Sequence, residues 1–294
     1  VVEDQVTYPL SAAMLGLPKT KDVRGVSMFG SSFVYVVFDD DVDQYWARSR
    51  VLEGLAKIKG DLPTTPELGP DATGVGWVYQ YALVDKTNSH SLADMRSLQD
   101  WVLKLELSSV KGVAEVASAG GFVREYQVLL NPHRLRYYGL APHQVADALK
   151  TIGSDGGGRV IEQGEAELMV RLKGYATKID DLKNTPLTAK DGTPITLDQV
   201  ARVIEGAALR RGVTELNGKG EAVGGIVIMR SGENALEVIG RVKEKLKDLK
   251  PGLPDGVEII SVYDREPLIK GAVRYLSDTL TREMLIVALV IFVF

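Results

Sequence analysis

With 294 residues, 45% of them hydrophobic and 25% charged, the chain has the balance of folded protein and enough length for two or three cores, which excludes disorder. A formal net charge of −4, with acids and bases interspersed, excludes an electrostatic footprint for nucleic acid. The absence of cysteine excludes disulfides, thiolate metal sites and cysteine nucleophiles, and is compatible with cytoplasm or periplasm.

The periodicity predicts a helix from about Val2 to Gly16, closed by Leu17-Pro18. Two strands follow, Asp22 to Phe29 and Ser32 to Phe38, joined at Gly30-Ser31 as a hairpin. Asp39-Asp40-Asp41 is expected to cap a helix over residues 43–59, with Trp46, Val51, Leu55 and Ile58 as its apolar stripe. Pro63 to Pro70 reads as a loop, so the first unit, residues 1–73, follows a split β-α-β, ferredoxin-like order whose first strand would precede Val1.

The pattern then repeats. Val75 to Val84 alternates as a strand, and Ser91 to Leu107 is an amphipathic helix with Ser91 and Asp94 spaced as a capping box. Val113 to Ser118 and Phe122 to Leu130 are expected to pair as a second hairpin around Gly120-Gly121, followed by a helix from Pro142 to Ile152. A glycine-rich run, Gly153 to Gly158, opens an inserted subdomain assigned to residues 153–220. Its expected strands are Ala166 to Leu172, Ala201 to Glu205 and Arg211 to Leu216, with a turn at Asp191-Gly192. The interrupted unit, begun at 74–152, resumes over 221–264 with the strand Ala222 to Met229, the helix Glu233 to Leu249 and the strand Val257 to Tyr263. Asp264 caps a further helix, Arg265 to Arg282, that runs into Met284 to Phe294, eleven apolar residues in succession. A membrane span needs about 20 such residues, and no polar stripe interrupts these, so residues 283–294 are expected to begin a transmembrane helix in a longer protein.

Catalytic chemistry finds little support. His90, His133 and His143 lack the spacing that puts two imidazoles on one helical face. The glycine clusters are not followed by Gly-Lys-Ser/Thr at a helix start, so they read as turns rather than phosphate cradles. Asp39 to Asp43 and Asp180-Asp181 are explained by helix capping rather than by metal binding or acid/base work. No Ser/His/Asp constellation emerges, and no catalytic, cofactor-binding or metal-ligating residue is assigned. Thioether sulfur suits monovalent copper and silver, but Met14, Met28, Met95, Met169, Met229 and Met284 are dispersed, and Met14, Met95 and Met229 sit on apolar positions where methionine fills gaps.

Several stretches resemble the heavy-metal branch of the resistance-nodulation-division (RND) pumps: Gln5 to Leu10, Tyr45 to Arg50, Leu68 to Trp77, Arg96 to Trp101 and Arg210-Arg211-Gly212. The resemblance extends from Val1 to Phe294, and the long Leu68 to Trp77 run is its most specific part. It implies an α+β fold of two ferredoxin-like porter subdomains, the second interrupted by a docking subdomain, with residues 265–282 as a connecting helix. It further implies an inner-membrane homotrimer in contact with lipid, facing the periplasm. A periplasmic adaptor would join it to an outer-membrane channel, and proton influx would drive it. The family's metal site and proton-relay acids lie largely outside this segment. Copper/silver members carry methionine immediately before the Arg-Arg-Gly, where this chain has Leu209. The implied cargo is Cu(I)/Ag(I), with divalent zinc, cobalt or cadmium as the alternative. An RND pump for organic compounds fits less well, since aromatics are only 7% of residues. A soluble ferredoxin-like binding module is opposed by the apolar run at Phe294.

Overall fold

The computed structural model describes residues 1–72, 75–152, 156–163, 166–172, 176–210 and 212–294, with 156–163 and 166–172 described through their backbone only. The chain divides into two compact units, Val1–Pro70 and Asp71–Phe294.

In the first unit a π-helical turn, Glu3–Thr7, leads into α1 (Tyr8–Leu15). Strands β1 (Thr20–Met28) and β2 (Ser31–Phe38) pair antiparallel across Gly30, whose φ of 66° suits the tight turn. The helix lies close on the hairpin at Gly25, where a Cβ would come within 2.6 Å of Thr7 Cγ2. The buried Thr7 hydroxyl sits 2.7 Å from both Ser27 Oγ and Ser32 Oγ, so its polarity is satisfied where it is desolvated. α2 (Gln44–Ile58) packs beside α1, with Met14 seated against Gly54. The cap of α2 is Asp43, whose Oδ1 accepts from Trp46 N at 2.9 Å, rather than the preceding aspartates. Only the residue before the first helical turn has the geometry to reach those amides.

The second unit holds a four-stranded antiparallel sheet in the order β12-β3-β11-β4, formed by β3 (Trp77–Asp85), β4 (Val113–Gly120), β11 (Val223–Met229) and β12 (Val257–Asp264). A continuous helical stretch made of α3 (Leu92–Leu98), a π-helical turn (Gln99–Leu103) and α4 (Lys104–Ser108) packs with α9 (Ala235–Leu249) around it. Tyr81, Leu103, Val116, Val227 and Ile239 are among the buried residues of this core. Order and pairing are those of a β-α-β-β-α-β ferredoxin-like unit. The capping box at Ser91 is present in full: Ser91 N donates to Asp94 Oδ2 at 2.8 Å and Asp94 N to Ser91 Oγ at 3.2 Å.

The expected hairpin between residues 113–118 and 122–130 does not form. β4 pairs with β11, and β5 (Arg124–Leu130) pairs with β10 (Ala201–Ala207). Gly120 and Gly121, with φ of 72° and 70°, turn the chain out of the sheet, and β5 delivers Val128 and Leu130 to a second core. That core gathers α5 (Pro132–Tyr137), α6 (Pro142–Lys150), α7 (Ile179–Lys183), the hairpin of β8 (Pro186–Thr188) and β9 (Pro194–Thr196), and α8 (Leu197–Val200), while the β6–β7 hairpin (Gly156–Gln163, Ala166–Leu172) lies between α6 and α7 in the chain. The chain therefore leaves the ferredoxin-like core near Gly121, and the helix expected to close that core, Pro142 to Ile152, belongs to the second one.

The turn at Asp191-Gly192 is present, with Gly192 at φ 87° and Thr193 N donating to Asp191 Oδ1 at 3.0 Å. No strand forms over 212–216, where one was expected; a single bridge, Glu215 to Glu221, takes its place, and Arg211 lies outside the described residues. Residues 153–155 of the glycine run and the Met169 side chain also lie outside them. Helix α10 (Glu266–Val293) carries the apolar run as its last turns; among the described residues no helix is long and apolar enough to cross a membrane.

Candidate functional site

Of the sequence motif Arg210-Arg211-Gly212, the described residues Arg210 and Gly212 fall at the joint between the two cores of the second unit. Here a cleft of about 440 Å³ opens between the end of β4 and the returning residues 208–210 and 212–214, lined among others by Arg96, Ser118, Gly120, Leu209, Arg210 and Thr214. Leu209 is 79% exposed, so its side chain contributes contact surface rather than core packing.

Both guanidiniums among the described lining residues are held. Arg96 Nε donates to Asp100 Oδ2 at 2.7 Å and its Nη1 to the Gly120 carbonyl at 2.6 Å. Arg210 forms a two-pronged pair with Glu221 and stacks over Phe122, 4.5 Å from the ring centroid. Among its described lining residues the cleft has no carboxylate, imidazole or thioether, so it presents guanidinium, hydroxyl, backbone and aliphatic surface without a metal-ligand set.

A second cluster sits where α10 begins. Lys243 of α9 reaches Asp264 at the end of β12 and Glu266 in the first turn of α10, the latter at 2.5 Å. Lys270 also pairs with Glu266 at 2.5 Å. Hydrogen bonds from Lys243 and then Lys270 hold the Glu266 carboxyl down at about 2. Asp264 Oδ1 accepts from Glu266 N at 2.9 Å, although the residue at the helix cap is Arg265 rather than the expected Asp264. Arg265 N donates to Val78 O at 3.1 Å, tying the helix start back to β3.

The other candidates are placed apart. His90 Nδ1 lies 3.1 Å from Asp85 Oδ2 in a loop-closing network, and the Thr87 hydroxyl, ahead of the other partners, holds Asp85 well below the usual carboxylate range. His133 and His143 lie in the first turns of α5 and α6. Asp181, within the first turn of α7, accepts from Thr177 N at 2.9 Å just ahead of the helix, and Asp180 pairs with Lys183 at 2.9 Å. Met14 and Met95 are buried, Met229 packs against the sheet core, and Met28 and Met284 are exposed, so no thioether cluster forms among them. Among the described residues no group of three His, Cys, Asp or Glu could hold a metal ion. Reading the sequence placed Arg210 in a motif but passed over Glu221, Phe122 and Lys243, whose importance lies in distant partners.

The model of the AcrB/AcrD/AcrF family matches residues 1–294. Among curated proteins, the cation efflux system protein CusA of Escherichia coli (strain K12) is 54% identical over 293 residues, 99% of this chain and 28% of that protein. The putative cation efflux system protein SilA of Salmonella typhimurium is 52% identical over the same shares, 99% and 28%. The cobalt-zinc-cadmium resistance protein CzcA of Cupriavidus metallidurans is 34% identical over 99% of this chain and 28% of its own length. A crystal structure of a heavy metal efflux pump (crystal form II) superposes with a TM-score of 0.87 at 30% identity, covering 100% of this chain and 29% of that one. The chain thus spans little more than a quarter of the length of the curated relatives it matches. With its whole length matched by the family model, the chain belongs to the AcrB/AcrD/AcrF family, in the heavy-metal branch of the resistance-nodulation-division proteins.

Proposed function

We propose that this chain is the periplasmic portion of an inner-membrane, proton-driven pump that exports heavy-metal cations, with Cu(I) and Ag(I) as cargo. The observation that supports the cargo assignment is the identity gap along the length of this chain, 54% to CusA against 34% to the cobalt-zinc-cadmium protein. In this reading Val1–Pro70 belongs to a first porter subdomain, the ferredoxin-like core is the second porter subdomain and the second core is the docking subdomain. The pump acts as a secondary transporter rather than an enzyme. It assembles as a homotrimer and engages a periplasmic adaptor and an outer-membrane channel. Metal is substrate here, not a resident cofactor.

A second cargo reading rests on Leu209. A thioether at that exposed position would offer a soft ligand, whereas leucine offers none, which favours harder divalent ions such as zinc, cobalt or cadmium. Growth of an exporter-deficient host carrying the full-length gene with its adaptor and channel separates the two. Raised tolerance to copper and silver is expected; raised tolerance to zinc, cobalt or cadmium alone would transfer the cargo to the divalent ions.

A further inference from the structure

Asn217-Gly218 lies in the segment between β10 and β11. Both residues have positive φ, 55° and 69°, as in a two-residue Asn-Gly hairpin turn. The turn is closed by Lys219 N donating to Leu216 O at 3.0 Å and by Leu216 N donating to Gly220 O at 3.2 Å, with a bridge from Glu215 to Glu221 behind it. Asn217 and Gly218 are exposed, and a Cβ built on Gly218 would meet nothing within 4 Å. Among the described residues neither the Asn217 side-chain amide nor Gly218 N has a hydrogen-bond partner. A short, solvated tip of this kind opens locally without unfolding what it connects.

The other four asparagines of the chain are placed differently. Asn131 precedes Pro132, which has no N–H, and its Oδ1 accepts from His133 N at 3.0 Å as the cap of α5. Asn234 Oδ1 accepts from Leu236 N at 3.0 Å as the cap of α9. Asn184 precedes Thr185, whose N donates to Leu182 O at 3.1 Å. Asn88 is exposed with a φ of 53°, but Ser89 follows it, and a side chain there crowds the approach to the nitrogen between them.

We propose that Asn217 is a site of spontaneous deamidation, which adds a carboxylate to the turn that carries Glu215 and Glu221. Gly218 N attacks Asn217 Cγ, and the new N–Cγ bond closes a five-membered imide. The Cγ–Nδ2 bond breaks, and ammonia leaves with the proton that Gly218 N gives up. Water then opens the ring. Opening at Cγ restores the main chain with aspartate at 217, whereas opening at the α-carbonyl carbon leaves isoaspartate, whose main chain is one carbon longer. Nothing is oxidised or reduced, and water is the co-reactant. Glycine at 218 matters because no Cβ shields the attacking nitrogen, and an exposed asparagine is thermally labile.

The test holds the full chain folded in mildly alkaline buffer, digests it at intervals and maps the peptides by mass, with isoaspartate separated from aspartate by chromatography. The peptide containing Asn217 should gain one mass unit roughly tenfold faster than the peptide containing Asn88, and it should yield isoaspartate as well as aspartate. Gly218→Ala should slow the change about tenfold. Asn217→Gln, whose longer side chain would have to close a less favourable six-membered ring, should abolish it over the same period and leave the fold intact, since the position is an exposed turn. Conversion at Asn88 as fast as at Asn217 would overturn the proposal. So would an aspartate product free of isoaspartate, which marks direct hydrolysis rather than the imide. No metal enters the reaction, so its outcome is independent of the efflux reading.

Discussion

The Tyr81 hydroxyl donates to Gln99 Oε1 at 2.9 Å inside the ferredoxin-like core, where Tyr81 is 2% and Gln99 0% exposed. Gln99 Nε2 in turn donates to Ser118 Oγ at 3.3 Å, so one polar chain links β3, the π-helical turn and β4. Burial pushes the Tyr81 phenol upward, so the hydroxyl stays a neutral donor at any physiological pH. Tyr81→Phe leaves the Gln99 oxygen buried without its donor and should cost about 1–2 kcal/mol, measured as a shift in urea midpoint. Adding Gln99→Leu should recover part of that loss, because both ends of the bond are then removed together.

Gly225 is the place where the Tyr81 ring lies on the sheet. A Cβ there would come within 2.4 Å of Tyr81 Cζ. Gly225→Ala should therefore destabilise by roughly 1–3 kcal/mol through overpacking, and it should couple to Tyr81→Phe in a double-mutant cycle. An additive cycle would place the strain elsewhere.

The Lys243 cluster makes stability depend on acid. Glu266 is held at about 2, below the ordinary 4.5, so its contribution is present above about 4.5 and is lost as pH falls towards about 2. Thermal unfolding of the chain should show this loss on acidification, and the loss should be smaller in Lys243→Met. High salt should erase most of the difference between the two proteins at neutral pH, since the ions are partly solvated.

Leu209→Met should leave stability within about 0.5 kcal/mol, because the side chain is 79% exposed. Its expected effect is on cargo: the host expressing the full-length variant should gain tolerance to copper or silver relative to zinc. A gain for zinc alone would run against the thioether argument.

On the β1–β2 hairpin Phe33, Tyr35 and Val37 alternate along β2, with Val26 paired across from Phe33, and Phe33 is 48% and Tyr35 58% exposed. Phe29 at its tip is 91% exposed. The purified chain should self-associate in light scattering, and Phe33→Lys with Tyr35→Lys should reduce the associated fraction.

Much of this architecture is local and therefore readable. The Ser91–Asp94 box and the apolar spacing behind it predict the helical stretch beginning at Leu92, and Gly30 between two β-branched runs predicts the first hairpin. The same reasoning misplaces the partner of β4, because Val113 to Leu130 has every local mark of a hairpin. What decides otherwise is Val223 to Met229, about a hundred residues on, and the second core that receives Val128 and Leu130. Alternation tells which face a residue takes, not which strand lies beside it. At the joint, Arg210 was legible through its motif. Arg124 with Asp94 and Lys243 with Asp264 were not, since long-range charge pairs leave no periodic trace in a chain with 35 basic and 39 acidic residues.

Metal export itself is tested most directly by the metal content of cells expressing the full-length gene with its adaptor and channel. They would be compared with a vector control after separate challenge with copper, silver, zinc, cadmium and cobalt. Lower retained copper and silver is the predicted result. Unchanged content of all five metals would contradict the account.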